Sequence, residues 1–188
     1  MDILKKRVLK DGKIINGGLL DVSSFLNQMI DIQLLSDIGK AFSEIFIEHQ
    51  PTKVITIESS GISMAIACSL ELKIPCVIAR KCLLTNSLVE TYNSEVFSHT
   101  KQKNFNICVS KNHITETDRV LIIDDFLACG NAANGLINIV EEAKATVIGV
   151  GICVEKSFQN GADKLISQGV NLHSLVKIKS LDNGVITI

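Results

Sequence analysis

The segment that most restricts this chain covers residues 120–132, Val-Leu-Ile-Ile-Asp-Asp-Phe-Leu-Ala-Cys-Gly-Asn-Ala. Four apolar residues, Val120, Leu121, Ile122 and Ile123, read as a buried strand. Two carboxylates, Asp124 and Asp125, stand at its carboxyl end. A turn of small residues follows, Ala128, Cys129, Gly130, Asn131 and Ala132, and leads into a helical pattern. In an open α/β sheet, ligands collect outside the carboxyl ends of the strands. The free amides of such a turn, with the positive end of the next helix dipole, suit a phosphate. Two acids beside a phosphate cradle would repel an anion unless they bind hydroxyls or a metal. A sugar phosphate with a vicinal diol satisfies both halves, its hydroxyls on the acids and its phosphate on the amides. The plainer alternative is a buried strand with a solvated acidic end; the attached loop favours the ligand site.

Helix and strand patterns alternate along the rest of the chain, which places it in the α/β class. Ile3, Leu4, Val8 and Leu9 mark a short amphipathic helix ending near Gly12, and Gly17-Gly18 form a turn before Leu19, Leu20, Asp21 and Val22. Asp31 is the expected cap of a helix whose apolar face carries Leu34, Leu35, Ile38, Ala41, Phe42, Ile45 and Phe46, with Pro51 beyond its end. Strands are predicted over 53–57, 75–79 and 106–110, and helices over 62–72, 131–144 and 160–168. Residues 81–104 read as polar and irregular. The uninterrupted apolar run 146–154 predicts a strand central to the sheet. Two strand-like tails, 175–178 and 185–188, close the chain. The 188 residues suggest a single domain, 1–188, with a hood formed by about the first 30 residues and the C-terminal segment.

A net charge of −1 gives no basic field for nucleic acid. No apolar run is long enough to span a bilayer, and the start of the chain lacks a secretory pattern. The six cysteines form no Cys-x-x-Cys pair and the four histidines show no metal spacing, so no metal ligand is assigned. Dispersed cysteines of this kind point to a reducing cytoplasm.

Residues 120–132 resemble the phosphoribosyl pyrophosphate (PRPP) signature of type I phosphoribosyltransferases. Several other segments are similar to the bacterial xanthine-specific branch of that family: Leu20 through Asn27, Thr56 to Ile62, Ala79-Arg80-Lys81, and Glu155-Lys156-Ser157-Phe158. The resemblance extends over nearly the whole chain. It implies a mostly parallel central sheet flanked by helices with a small hood, and transfer of a phosphoribosyl group from PRPP with Mg²⁺ bound mainly through diphosphate and ribose oxygens. It also implies a cytoplasmic homodimer serving purine salvage, with no nucleic-acid or membrane partner.

Residue by residue, the resemblance places the ribose on Asp124 and Asp125 and the PRPP phosphate on the loop Ala128 to Ala132. Diphosphate falls to the loop Ser59, Ser60 and Gly61 and to the cations Arg80 and Lys81. Xanthine falls to Leu20, Asn27 and Lys156. The residue types agree, since a lysine and an aromatic at a strand end, Lys156 and Phe158, suit a purine, the lysine donating to O6 and an aromatic stacking on the ring. Residues 82–100 correspond to a mobile lid. Three departures matter. Serines replace the basic residue that relatives often carry in the diphosphate loop. Cys129 and Ala132 stand where many relatives have hydroxyls, so phosphate binding leans on main-chain amides. Ala128 replaces the Asp of hypoxanthine–guanine enzymes, leaving no side chain assigned to the purine proton. The competing readings are another 6-oxopurine transferase and a PRPP-sensing regulator. A dinucleotide-binding protein would need a Gly-x-Gly-x-x-Gly turn after its first strand.

Overall fold

The structure is a computed structural model that describes residues 1–15, 18–82, 90–98 and 103–188. The chain opens with α1 (Asp2–Asp11), a small hairpin of β1 (Lys13–Ile15) and β2 (Leu19–Asp21), and a π-helical turn over Ser23–Asn27. There follow α2 (Ile32–Phe46), β3 (Lys53–Ile57), α3 (Ile62–Leu72), β4 (Cys76–Cys82), β5 (Thr91–Ser98) and β6 (Lys103–Ser110). The second half contains β7 (Arg119–Leu127), α4 (Asn131–Glu142), β8 (Thr146–Lys156), α5 (Gly161–Ser167) and β9 (Leu172–Ile178). Asp31 caps α2 as its sequence position predicts, its carboxylate accepting the Leu34 amide at 3.1 Å.

Seven strands form one sheet in the order β5-β6-β4-β3-β7-β8-β9. The five from β4 to β9 run parallel, while β6 is antiparallel to both β4 and β5. After β3 the chain first builds outward to β4; later it returns to the other side of β3 with β7. The loops after β3 and β7 therefore diverge at adjacent strand ends, the place where an open α/β sheet forms its ligand crevice.

Alternation along the strands divides the interior into two cores. On one face α2 and α3 bury Leu34, Ile38, Phe42, Phe46, Met64 and Cys68 against Val54, Leu121 and Ile123. Phe42 and Phe46 are fully buried, and each such side chain stabilises the fold by about 2–3 kcal/mol. On the other face Leu136, Ile139 and Val140 of α4 pack on Ile55, Ile122, Val150 and Ile152. The N-terminal elements close over the first core through Leu4, Val8, Val22, Phe25 and Leu26, joined by Leu181 from the end of the chain. The Met1 amino group donates to the Leu175 carbonyl at 3.1 Å, tying the start of the chain to β9. Among the described residues no helix is long and apolar enough to cross a membrane.

Three local expectations change. The apolar strand β8 is not central but next to the edge strand β9, and β3 holds the middle of the sheet. Its burial on both faces comes from helix cover rather than from its place in the strand order. Half of the expected irregular segment is a long antiparallel ribbon of β5 and β6; residues 83–89 and 99–102 lie outside the described residues. β5 has little apolar periodicity of its own. It is made a strand by pairing with β6 and by Ser94 and Val96, which turn inward toward α4. The tail 185–188 forms only an isolated bridge, Ser180 to Thr187.

Candidate active site

β7 runs on past its apolar residues and carries both acids inside the strand. Asp124 and Asp125 are 5% and 6% exposed, more enclosed than a solvated strand end would leave them. Asp124 accepts the Asp125 amide at 2.9 Å. Burial, and next the charge of Asp125, push the Asp124 carboxyl well above the usual carboxylate range. Asp125 is the meeting point of three segments. One oxygen accepts the Ser60 hydroxyl at 3.0 Å and the Phe126 amide at 2.9 Å, and the other faces the Asn27 amide at 3.4 Å.

The loop after β3 closes on this pair. Its peptide between Glu58 and Ser59 is cis. Gly61 allows the approach: a Cβ there would strike the Thr56 hydroxyl and come within 2.6 Å of the Asp124 carboxylate. Neither Ser59 nor Ser60 caps α3 through its side chain; the Ser60 hydroxyl is spent on Asp125 instead.

Beyond β7, Gly130 adopts a left-handed conformation, φ 82°, and starts α4. A cleft of about 160 Å³ lies here, lined by Phe97, Phe126, Leu127 and residues 128–133. A larger hollow of about 270 Å³ between α1 and α2 has none of these strand-end groups. The Asn131 side chain donates to the Phe97 carbonyl at 3.1 Å, which fastens the loop to β5. Cys129 faces Gln159, with its sulfur 3.5 Å from the amide oxygen.

Lys156 ends β8 with its ammonium 5.4 Å from the centre of the Phe126 ring. Burial lowers its pKa, and the Asp125 charge works in the opposite direction. Glu155, buried beside it, accepts the Ser157 and Ser174 hydroxyls and anchors the end of the strand.

The structure thus gathers Ser60, Gly61 and Asn27 against Asp124 and Asp125, with Lys156 at the end of neighbouring β8 within reach of the Asp125 charge. Leu20 is largely buried in the hood core rather than lining open space. Arg80 and Lys81 are successive residues of β4 and project to opposite faces. Arg80 pairs with Glu58 at 3.3 Å, whereas the Lys81 ammonium lies 5.2 Å from the Phe105 ring centre. The aromatic next to Lys156 is Phe126, not Phe158, which is 46% exposed.

Sequence reasoning missed three residues here. Phe126 adjoins the acidic pair and gives no periodic signal. Glu58 is read only as part of its loop. Gly161, at the start of α5, touches the 128–130 loop: its amide donates to the Ala128 carbonyl at 3.1 Å, and a Cβ would lie 2.7 Å from the Gly130 nitrogen.

Among the described residues no cluster of three or more acidic, His or Cys side chains is built to hold a metal. The available donors are hard oxygens of Asp124 and Asp125 at a strand end, which fit Mg²⁺ that brings most of its ligands on a polyphosphate.

The family model described as a phosphoribosyl transferase domain matches residues 27–175. The chain belongs to the phosphoribosyltransferase family. Among curated members of that family, a xanthine phosphoribosyltransferase of Bacillus cereus (strain ATCC 10987 / NRS 248) is 48% identical over 187 residues, covering 100% of this chain and 95% of the relative. Another, from Macrococcus caseolyticus (strain JCSC5402), is 46% identical over 188 residues, covering 100% and 97%. Solved phosphoribosyltransferases share the fold. The adenine phosphoribosyltransferase of Rhodothermus marinus aligns with a TM-score of 0.77 at 26% identity, covering 94% of this chain and 97% of that one. The Trypanosoma brucei enzyme, solved with AMP, pyrophosphate and ribose-5-phosphate, aligns with a TM-score of 0.77 at 19% identity, covering 93% and 79%. The type I phosphoribosyltransferase fold that the resemblance implies is the fold observed.

Proposed function

We propose that this phosphoribosyltransferase joins xanthine to the ribose of PRPP, giving xanthosine 5′-monophosphate and diphosphate. The observation that carries the reading is the convergence on Asp125 of a strand end, the Ser60 loop and the hood residue Asn27. Whole-length identity of 46–48% to xanthine phosphoribosyltransferases supports the choice of base.

The amides of the 128–132 loop hold the 5′-phosphate, and Asp124 and Asp125 hold the ribose hydroxyls. As the C1–O bond to diphosphate lengthens, the ring gains positive charge and the acids stabilise it; their enclosure strengthens that effect. Asp124 and Asp125 would hold a Mg²⁺ ion that enters with the substrate, and that ion would supply charge neutralisation for the leaving diphosphate. Residues 59–61 and Arg80 receive the diphosphate from the side of β3 and β4. A ring nitrogen of the base then bonds to C1 as the diphosphate leaves with the C1–O electron pair, and the proton carried by that ring passes to solvent. Lys156 donates to O6 and favours the electron-rich form of the base, while the Phe126 ring offers it an apolar face. Catalysis is mainly positioning and electrostatics.

The protein is further proposed to be a cytoplasmic homodimer of one-domain subunits. Its six free cysteines support the reducing compartment, and light scattering at micromolar concentration tests the dimer. The test of function is diphosphate release from PRPP with a panel of bases. Xanthine is expected to give the highest kcat/KM. A higher value for hypoxanthine or guanine overturns the choice of base, and no release with any purine overturns the enzyme reading.

A further inference from the structure

Glu58 is an unfavourable residue for a loop that receives an anion, since its charge repels diphosphate. Its surroundings explain why it is tolerated. β3 and β4 pair through Ile57 and Ala79, and the Glu58 amide adds one more bond to the Ala79 carbonyl at 3.0 Å. There the chain turns away into residues 59–61, and β4 continues alone on that side. The next β4 amide, Lys81, would be left without a strand partner. The Glu58 side chain supplies it, one carboxylate oxygen accepting the Lys81 N–H at 2.7 Å. The other oxygen accepts from the Arg80 guanidinium at 3.3 Å. The carboxylate thus extends the ladder by one bond after the main chain has left it.

We propose that Glu58 is a positioning residue for the diphosphate site. It locks the 59–61 loop and the Arg80–Lys81 segment into one register, so that both meet the leaving diphosphate together. The inference rests on the phosphoribosyl-transfer reading above. The main-chain bond is the stronger half of the clamp, because an amide on an ionised acceptor outweighs a surface ion pair. The Arg80 side chain is 68% exposed, which leaves its ion pair well screened. A glutamine can still accept the Lys81 N–H, whereas an alanine cannot.

The experiment combines steady-state kinetics with calorimetric titration of PRPP and of diphosphate, both with Mg²⁺, on wild type, Glu58→Ala and Glu58→Gln. Losing one charge-assisted bond predicts about a tenfold rise in the PRPP KM and the diphosphate Kd of Glu58→Ala. The xanthine KM should stay within about twofold, because the base makes no use of this bond. Glu58→Gln should recover most of the loss, remaining within about threefold of wild type in PRPP KM. A Glu58→Ala variant with wild-type PRPP affinity overturns the clamp, as does an equal rise in the xanthine KM. Damage by glutamine equal to that by alanine overturns it too. A wild type that binds no PRPP overturns the underlying reading along with the clamp.

Discussion

Substituting Gly161 by alanine tests whether the phosphate loop is shaped from behind. On helix propensity alone the change is favourable, since alanine at a helical position is preferred to glycine by about 1 kcal/mol. The structure predicts the opposite effect on function. A Cβ at position 161 would run into the Ala128 carbonyl and lie 2.7 Å from the Gly130 nitrogen. Ordinary contact begins near 3.4 Å, so the loop must retreat by roughly 0.7 Å at the Gly130 nitrogen and by more at the Ala128 carbonyl, or α5 must shift by as much, against the close packing of the interior. The amides of this loop are the proposed phosphate donors, and each bond to a charged acceptor contributes about 1.5–3 kcal/mol. Weakening one such bond should raise the PRPP KM by roughly 10- to 100-fold. The assay is initial-rate kinetics with PRPP varied at saturating xanthine, alongside thermal unfolding. A raised PRPP KM in a folded protein is the expected result. A variant with higher Tm and an unchanged PRPP KM would refute the reasoning, because it would mean that the loop relaxes without loss or does not bind the phosphate.

Three further substitutions probe other parts of the structure. Asp118 is enclosed, which alone would raise its pKa, but Lys53, the Thr115 amide and hydroxyl, and Thr52 outweigh burial and hold it at about 2, below the ordinary 3.8. A depressed carboxyl contributes stability above its unfolded pKa and loses it as pH falls through the folded one; Asp118→Asn should therefore cost about 2 kcal/mol at pH 7 and progressively less between pH 4 and 2 by urea unfolding, and an equal cost at both ends of that window would disprove the linkage. Asp125→Asn should lower kcat/KM by about 100-fold or more with the fold retained; because the Asp125 charge helps raise the Asp124 pKa, the acid limb of the residual pH–rate profile should move to lower pH, and near-normal turnover would remove the ribose role. Asn27→Ala should lower kcat/KM on xanthine about tenfold and narrow the preference over hypoxanthine, whereas equal losses on xanthine, guanine and hypoxanthine would leave Asn27 only its contact with Asp125.

What the sequence determined by itself was whatever a short stretch of chain encodes. The apolar run before Asp124, the Asp31 cap, the 62–72 helix and the small-residue turn at 128–132 are set by side-chain period and local turn chemistry, and each formed where those signals stand. The acid pair and the loops after β3 and β7 were legible for the same reason, since strand ends that run through small residues into helices are visible in one dimension. Only the tertiary structure decided which segments meet. It placed β8 beside the edge, made a strand of polar β5 by pairing it with β6, and enclosed Asp124 enough to raise its pKa. It chose Phe126 over Phe158 as the neighbour of Lys156, set Gly161 against the phosphate loop, and gave Glu58 the Lys81 amide as its partner. These outcomes depend on burial and on hydrogen bonds between residues far apart in the chain. Their energies exist only once the strands have taken their order, so no local pattern of residues carries them.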